Sequence, residues 1–147
     1  MAIILLTMKY FSLPELCHSV TAKLRHIDNL PDIERASNLA FLVDNLLDPL
    51  REAFGEPIVV QSGYRCRELN KLVSGVPDSY HIKGLAADIS AVGQDRRKNQ
   101  RLVDILKGGD LPYDQLILYD TTAEGPRWIH VALRLEPSQN RYAVLRR

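Results

Sequence analysis

The segment of residues 79–88 constrains this chain more than any other stretch, because it places an imidazole and a carboxylate seven residues apart across a glycine. His81 precedes Gly84, and Asp88 lies in the run of small and apolar residues that follows. A second imidazole, that of His130, comes much later in the chain. Two histidines and one carboxylate leave a fourth zinc position open for water, which is typical of catalytic zinc sites. If these three side chains converge, the sequence predicts a metallohydrolase.

The composition favours one ordinary globular domain. The 147 residues fit the common size of a single domain, and 46% hydrophobic with 25% charged residues is typical of globular proteins. The net charge of +1 gives no excess of positive charge that would favour binding to nucleic acid or to an anionic membrane. We therefore expect a monomer without a nucleic-acid partner, with a single domain over residues 9–147 behind an N-terminal extension of residues 1–8.

The two cysteines and the N-terminal residues exclude several kinds of site and segment. Cys17 and Cys66 have no second thiol nearby in sequence, so metal or redox sites of the CxxC type are excluded. A disulfide between them stays open, and two reduced thiols are the simpler expectation. The apolar run of residues 3–6 is too short for a signal-peptide core, and no run approaches the roughly 20 apolar residues of a membrane span. We expect a protein that is cytoplasmic at synthesis.

The pattern of apolar residues, prolines and glycines predicts an α+β domain. Ser12 is the expected cap of the first helix, Pro49 should kink or divide the second, and Gly55 should end it. Helices are predicted over residues 13–24, 33–54, 67–73, 94–106 and 138–146, and strands over residues 57–61, 85–90, 115–119 and 128–133. Residues 76–84 should form an ordered loop. Because the last two strands are joined by a short polar loop, they predict an antiparallel hairpin in a mostly antiparallel sheet.

On this map His81 lies in a loop, whereas Asp88 and His130 lie on strands. The three can meet over one face of the sheet, with Gly84 allowing the tight turn that returns His81 over Asp88. Each residue also has an ordinary interpretation when taken alone. His81 could be a surface histidine, Asp88 a buried hydrogen-bonded carboxylate and His130 a histidine packed in the core.

Four ordered motifs strengthen the metal interpretation. Residues 79–88 fit SxHxxGxAxD, and residues 128–130 fit WxH. Residues 62–65 read SGYR and are followed by Leu69-Asn70. Residues 114–117 read DQLI and are followed later by an NR…VLR tail. Together these motifs resemble the zinc D-Ala-D-Ala carboxypeptidases of peptidase family M15, whose fold is shared with the Hedgehog signalling domain. The resemblance spans roughly Phe11 to the C-terminus.

The resemblance implies roles for six residues. His81, Asp88 and His130 would bind one Zn²⁺ per chain, with water in the fourth position. Arg65 would face the active site and engage the substrate, because a guanidinium can bind a peptide carboxylate or a developing oxyanion. Ser79 could hydrogen-bond the substrate backbone or shape its loop. Tyr64 is a further substrate-binding candidate, although packing is the better explanation for it than chemistry.

The general base is where the sequence departs from the family. Relatives carry a carboxylate three residues before the last histidine, where this chain has Arg127, or a glutamate just after the DQLI strand, where it has Tyr119 and then Asp120. We predict that Asp120 is the general base, with Glu124 as the second candidate, although both could be solvated turn residues. A chain without a base could serve as a zinc-containing binding module, as Hedgehog-type domains do.

The ligand trio and the resemblance together therefore imply a zinc metallopeptidase that hydrolyses peptidoglycan stem peptides at the bacterial cell wall. The simplest form is a D-Ala-D-Ala carboxypeptidase. A phage-type endolysin that cuts peptidoglycan cross-links as an endopeptidase is the alternative with the same site. A metal-free α+β domain with coincidental motifs is the remaining alternative.

Overall fold

Five strands form one sheet in the computed structural model, which describes residues 8–147. They are β1 (Ile58–Ser62), β2 (Ala86–Ala91), β3 (Gln115–Tyr119), β4 (Trp128–Ala132) and β5 (Ala143–Arg146). The order across the sheet is β1-β2-β4-β3-β5, and every neighbouring pair is antiparallel except β3 with β5. The predicted α+β class, the mostly antiparallel sheet and the β3–β4 hairpin are confirmed.

The register of the three inner strands places the metal-binding candidates. Asp88 of β2 pairs with His130 of β4, and His130 pairs on its other side with Ile117 of β3. Because side chains alternate along a strand, these three residues project from the same face of the sheet. Their strand neighbours, such as Ile89 and Val131, are completely buried on the opposite face.

A long helical segment packs on that buried face and forms the core with it. It comprises α3 (Ile33–Leu42), a π-helical turn (Val43–Leu47) and α4 (Asp48–Phe54), which ends at Gly55 in the left-handed conformation with φ 77°. The predicted apolar stripe is fully buried: Leu39, Leu42, Val43, Leu46, Leu47 and Leu50. The predicted interruption at Pro49 takes the form of the π-helical turn directly before α4. Since proline lacks an amide donor, the widened turn accommodates the missing hydrogen bond.

The remaining helices lie around the sheet, and one prediction among them is wrong. They are α1 (Leu13–Cys17), α2 (Val20–Leu24), α5 (Arg67–Leu72), α6 (Tyr80–Lys83) and α7 (Arg96–Lys107). The single helix predicted over residues 13–24 is two helices. The chain is extended at His18, and the Ser19 hydroxyl accepts a hydrogen bond from the Ala22 amide to start a new helix. Ser12 caps α1 as predicted.

Two further segments differ from the prediction. The loop expected over residues 76–84 contains α6, because the Ser79 hydroxyl caps that turn and Gly84, at φ 75°, ends it. The helix expected over residues 138–146 is instead a 3₁₀ turn (Pro137–Gln139) followed by β5. Pairing of β5 with β3 supplies backbone hydrogen bonds that a helix of this length would have to make alone, so tertiary contacts override local propensity.

Cys17 and Cys66 are free thiols. Burial raises the pKa of the Cys17 thiol to about 11, so this thiol stays protonated and unreactive near neutral pH. Among the helices of residues 8–147, none is both long and apolar enough to cross a membrane. The predicted N-terminal extension lies outside the described residues, apart from Met8.

Candidate metal centre

The structure brings His81, Asp88 and His130 together at one point of the open sheet face. One ligand atom from each lies within 4.8 Å of the others. Nε2 of His81 is 3.3 Å from Oδ1 of Asp88, and Nδ1 of His130 is 2.9 Å from the same oxygen. Two nitrogens and one carboxylate oxygen therefore converge on a volume that suits a divalent cation.

A backbone carbonyl orients His81. Its Nδ1 lies 2.7 Å from the carbonyl oxygen of Gly63, which accepts a hydrogen bond from Nδ1–H, so the Nε2 lone pair is left for a metal ion. Gly63 is needed because the chain passes closely here: a Cβ at this position would lie 2.2 Å from the carbonyl oxygen of Leu16. The SGYR motif thus contributes its glycine as well as its arginine.

The pKa values of His130 and Asp88 are both shifted in the direction that favours metal binding. Burial lowers the pKa of His130, although the adjacent Asp88 carboxylate opposes this, so the imidazole is neutral at pH 7. Burial alone would raise the pKa of Asp88, but the His81 and His130 imidazoles outweigh it and hold the pKa below its usual value. Two imidazole nitrogens and one carboxylate oxygen match the donor set of open zinc sites.

Arg65 lies beside the ligands and is held by three oxygen acceptors. Its Nη2 is 3.3 Å from Oδ2 of Asp88, its Nε donates to Ser62 at 2.9 Å and its Nη1 donates to Asn70 at 3.4 Å. Burial lowers the pKa of Arg65 and Asp88 opposes the shift, so the guanidinium stays charged. The site therefore holds a fixed cation next to the predicted metal position.

A cavity of about 690 Å³ opens over the trio. Its floor is the open sheet face, including Gln115, Ile117 and Tyr119 of β3, and one side is formed by residues 73–81. Because β3 lines the cavity on both sides of Ile117, which is opposite His130, the space extends in both directions from the ligands. This volume lies in the range of small-molecule and peptide sites.

The other two substrate-binding candidates, Ser79 and Tyr64, occupy different places. Ser79 lines the cavity, and its hydroxyl accepts the His81 amide at 3.1 Å, so it shapes the turn that carries His81. Tyr64 is not brought to the cavity. It belongs to the hydrophobic core, its amide donates to the Leu16 carbonyl oxygen at 2.8 Å, and its burial raises the pKa of the phenol.

The structure does not bring Asp120 to the metal ligands. Its carboxylate pairs with Arg96 at 2.9 Å, its side chain is 55% exposed, and it does not line the cavity. Glu124 also lies outside the cavity and pairs with Arg97 at 3.7 Å. The assignment of Asp120 as general base stays a prediction that requires its carboxylate to leave Arg96.

Sequence reasoning missed several groups that line the cavity. Asp78 carries the one lining carboxylate outside the ligand trio, and Tyr119 lines the cavity directly before Asp120. Arg134 and Arg141 lie at one end of the cavity, where both contact the buried Asp114. The motif DQLI contained the signal for this cluster, since an aspartate at the entrance of a buried strand needs cationic partners.

The comparison with known families agrees with this geometry. A family model described as Peptidase M15 matches residues 9–132, which is more than half of the chain and includes all three candidate ligands and Arg65. No curated protein matches the chain. The match does not separate the subgroups of the family. The α+β fold, the converging ligand trio and the extent of this match show that the chain belongs to the peptidase M15 family.

Proposed function

We propose that this protein is a zinc-dependent peptidase that hydrolyses peptidoglycan stem peptides, most simply as a D-Ala-D-Ala carboxypeptidase. The observation that carries the proposal is the convergence of His81, Asp88 and His130 under an open cavity, with Arg65 beside them. Family membership supports peptide hydrolysis, and the cavity has room for several peptide residues. Action at the bacterial cell wall, by a monomer, is part of the same proposal.

The three ligands would hold one Zn²⁺ through Nε2 of His81, Nδ1 of His130 and the Asp88 carboxylate. When bound, zinc polarises a carbonyl and lowers the pKa of water towards about 7. The protein supplies the rest of the environment. Gly63 fixes the His81 tautomer, and the paired strands β2 and β4 fix the relative positions of the other two ligands.

Arg65 would stabilise the negative charge that develops on the attacked carbonyl. Its guanidinium is already fixed by Ser62 and Asn70, so little reorganisation is needed during the reaction. In a carboxypeptidase the same group can also bind the terminal carboxylate of the substrate.

Proton transfer needs a group that takes a proton from the attacking water and returns it to the leaving amine. Asp120 was the prediction from sequence, but its carboxylate pairs with Arg96 outside the cavity. Asp78 lines the cavity and makes no ion pair with a described residue. We therefore add Asp78 to Asp120 and Glu124 as a third candidate for the general base.

An endopeptidase is the second candidate function. The extent of the cavity on both sides of the metal ligands favours it, because an endopeptidase must hold substrate residues on both sides of the cleaved bond. The cavity continues along β3 from Gln115 to Tyr119, past the position opposite His130. A peptide could therefore extend beyond the cleaved bond. The same site without a working base would be a zinc-containing binding module.

Incubation of the zinc-loaded protein with purified muropeptides, followed by mass spectrometry, tests these proposals. Loss of one terminal alanine from pentapeptide monomers is the expected result. Release of monomers from cross-linked dimers would establish the endopeptidase instead. No change in any muropeptide, with zinc bound, would overturn hydrolysis and support the binding module.

A further inference from the structure

The buried carboxylate of Asp114 organises two arginines at one end of the cavity. Asp114 is fully buried, and Nε and Nη2 of Arg141 donate to its two oxygens at 3.0 and 2.9 Å. Nε of Arg134 lies 3.1 Å from Oδ1, and the Tyr80 hydroxyl donates to Oδ2 at 2.9 Å. One carboxylate therefore fixes two guanidinium groups, which leaves one positive charge in excess.

Both arginines keep donors that point to no described residue. Within residues 8–147, Nη1 and Nη2 of Arg134 donate no hydrogen bond to an acceptor, and Nη1 of Arg141 donates none either. The side chains are 33% and 50% exposed, and both line the cavity. Guanidinium groups held in one conformation bind an anion with little further loss of entropy.

The charge of the surrounding cavity is also positive. The chain as a whole has a net charge of only +1. The cavity, by contrast, is lined by two carboxylates, Asp78 and Asp88, and by five cationic side chains, which are Arg65, Lys83, Arg134, Arg141 and Arg147. Lys83 lies over the Tyr80 ring, 4.9 Å from its centroid, next to the arginine pair. This concentration of charge favours an anionic ligand.

The arginine pair lies at a defined distance from the metal ligands. Arg134 follows His130 by four residues along β4 and its extension, which corresponds to about 13 Å at roughly 3.3 Å per residue. Gln115 lies between them on the cavity floor, opposite Ala132. An extended peptide covers this distance with three to four residues.

We propose that Arg134 and Arg141 form an anion subsite that binds a side-chain carboxylate of the peptide substrate, three to four residues from the cleaved bond. The proposal rests on the proposed peptidase function. Because only one residue follows the bond cut by a carboxypeptidase, the subsite takes the part of the substrate that precedes the bond. The carboxylate receives charge-assisted hydrogen bonds from the free guanidinium nitrogens.

The test uses acetylated peptides that end in D-Ala-D-Ala and carry one glutamate at each of four successive positions before the cleaved bond, with glutamine peptides as uncharged partners. The zinc-loaded protein should prefer glutamate over glutamine by about tenfold or more in kcat/KM, with the maximum at three to four residues. Arg134→Gln should abolish this preference, because the loss of kcat/KM should be larger on the glutamate peptides than on the glutamine peptides.

Arg146→Gln is the matched control, since it removes the same charge from β5 at an exposed residue that does not line the cavity. It should keep the preference for glutamate. An equal loss on both peptide series in Arg134→Gln would overturn the subsite, because the residue would then act through structure alone. Absence of any preference in the unaltered protein would also overturn it.

Calorimetric binding of the same peptides separates this proposal from the proposed function. If no peptide is cleaved but binding prefers glutamate and Arg134→Gln removes the preference, the subsite stands and the peptidase proposal falls. If peptides are cleaved without a preference in either kcat/KM or binding, the peptidase stands and the subsite falls. Absence of binding to every peptide at millimolar concentration overturns the subsite.

Discussion

At the scale of single residues, His81 is the proposed ligand whose removal tests the metal site most directly. Its Nε2 lies 3.3 Å from Asp88 Oδ1 while its Nδ1 is held by Gly63, so Nε2 is the atom available to a metal ion. We expect His81→Ala to reduce bound zinc below about a tenth of the normal content and to abolish turnover. Plasma mass spectrometry and muropeptide assays measure the two effects. His18→Ala, an exposed histidine outside the site, should change neither. Full turnover by a metal-free His81→Ala protein would contradict the proposal.

Arg65 should affect the reaction and leave the metal in place. The guanidinium lies 3.3 Å from Asp88 but is not among the candidate ligands. Arg65→Ala should lower kcat/KM by about 100-fold with zinc content unchanged, which is the usual effect of removing one donor to a developing oxyanion. Arg65→Lys keeps the charge and loses the fork of donors, so it should recover only part of the loss. A variant with unchanged kcat/KM would exclude Arg65 from catalysis.

Two of the candidates for the general base, Asp120 and Asp78, can be compared directly. Asp120→Asn should keep kcat within about tenfold of the unaltered protein, because the Asp120 carboxylate pairs with Arg96 outside the cavity. Asp78→Asn should cause the larger loss, since Asp78 lines the cavity. The pH dependence of kcat for both variants, at equal zinc content, decides between them. A loss of about 100-fold or more confined to Asp120→Asn would support the assignment made from the sequence.

Among the site residues, sequence reasoning identified those with metal-ligating side chains at the spacing of a specific motif. His81, Asp88 and His130 were of this kind, and the structure brings them together. The partner of His81 could not be predicted, because a backbone carbonyl such as that of Gly63 is present at every position of the chain. Side-chain charge pairs were also hidden, since the ion pair between Arg96 and Asp120 joins residues 24 positions apart.

At the scale of elements, Gly84 sets the position of α6 and therefore of His81. Its φ of 75° is left-handed, and a Cβ would lie 2.6 Å from the carbonyl oxygen of Arg35. Gly84→Ala should lower the free energy of unfolding by at least about 3 kcal/mol and weaken zinc binding. Gly55→Ala is the matched control, because φ is 77° with open space around the Cβ, so it should cost only about 1–2 kcal/mol. Urea unfolding and zinc titration measure both effects, and equal costs would contradict the steric argument.

Elements with a strong local signal were predicted, and those that depend on distant partners were not. The apolar stripe of residues 39–50 and the strand β2 follow from periodicity and small residues in the sequence. The edge strand β5 was expected to be a helix. Its conformation depends on β3, which lies about 28 residues earlier in the chain and contributes the backbone partners. The short helix α6 was also missed. The Ser79 hydroxyl caps it by accepting from the His81 amide, but the turn-forming residues around Ser79 made the segment look like a loop.

At the scale of the whole molecule, Asp114 joins α6, the end of β4 and the start of β5 through Tyr80, Arg134 and Arg141. Burial would raise the pKa of Asp114, but the hydrogen bonds from Arg141 and Tyr80 lower it from 3.8 to about 2. A carboxyl group with a lowered pKa stabilises the fold above its unfolded pKa, and that stabilisation is lost as the pH falls through the folded value. The contribution is about 2 kcal/mol, present above about pH 4 and lost towards pH 2.

Asp114→Asn should therefore be less stable at pH 7 by about 2 kcal/mol or more, and the difference from the unaltered protein should shrink as the pH approaches 2. Urea unfolding at pH 7, 5, 4 and 3 measures this convergence. Asp110→Asn, which alters an exposed aspartate without an ion pair among residues 8–147, should show no such dependence on pH. A constant difference at all four pH values would exclude Asp114 as the source.

The direct pairing of Asp88 with His130 would also make the proposed zinc ion a reporter of strand register. Side chains alternate between the two faces of the sheet, so a shift of β2 by one residue would turn Asp88 into the core and present Ala87 or Ile89 to His130. A molecule that refolds with shifted strands would keep its sheet and still be unable to bind zinc. In refolding experiments, binding of the proposed zinc ion would therefore count only the correctly paired molecules, whereas circular dichroism counts every molecule that has formed a sheet.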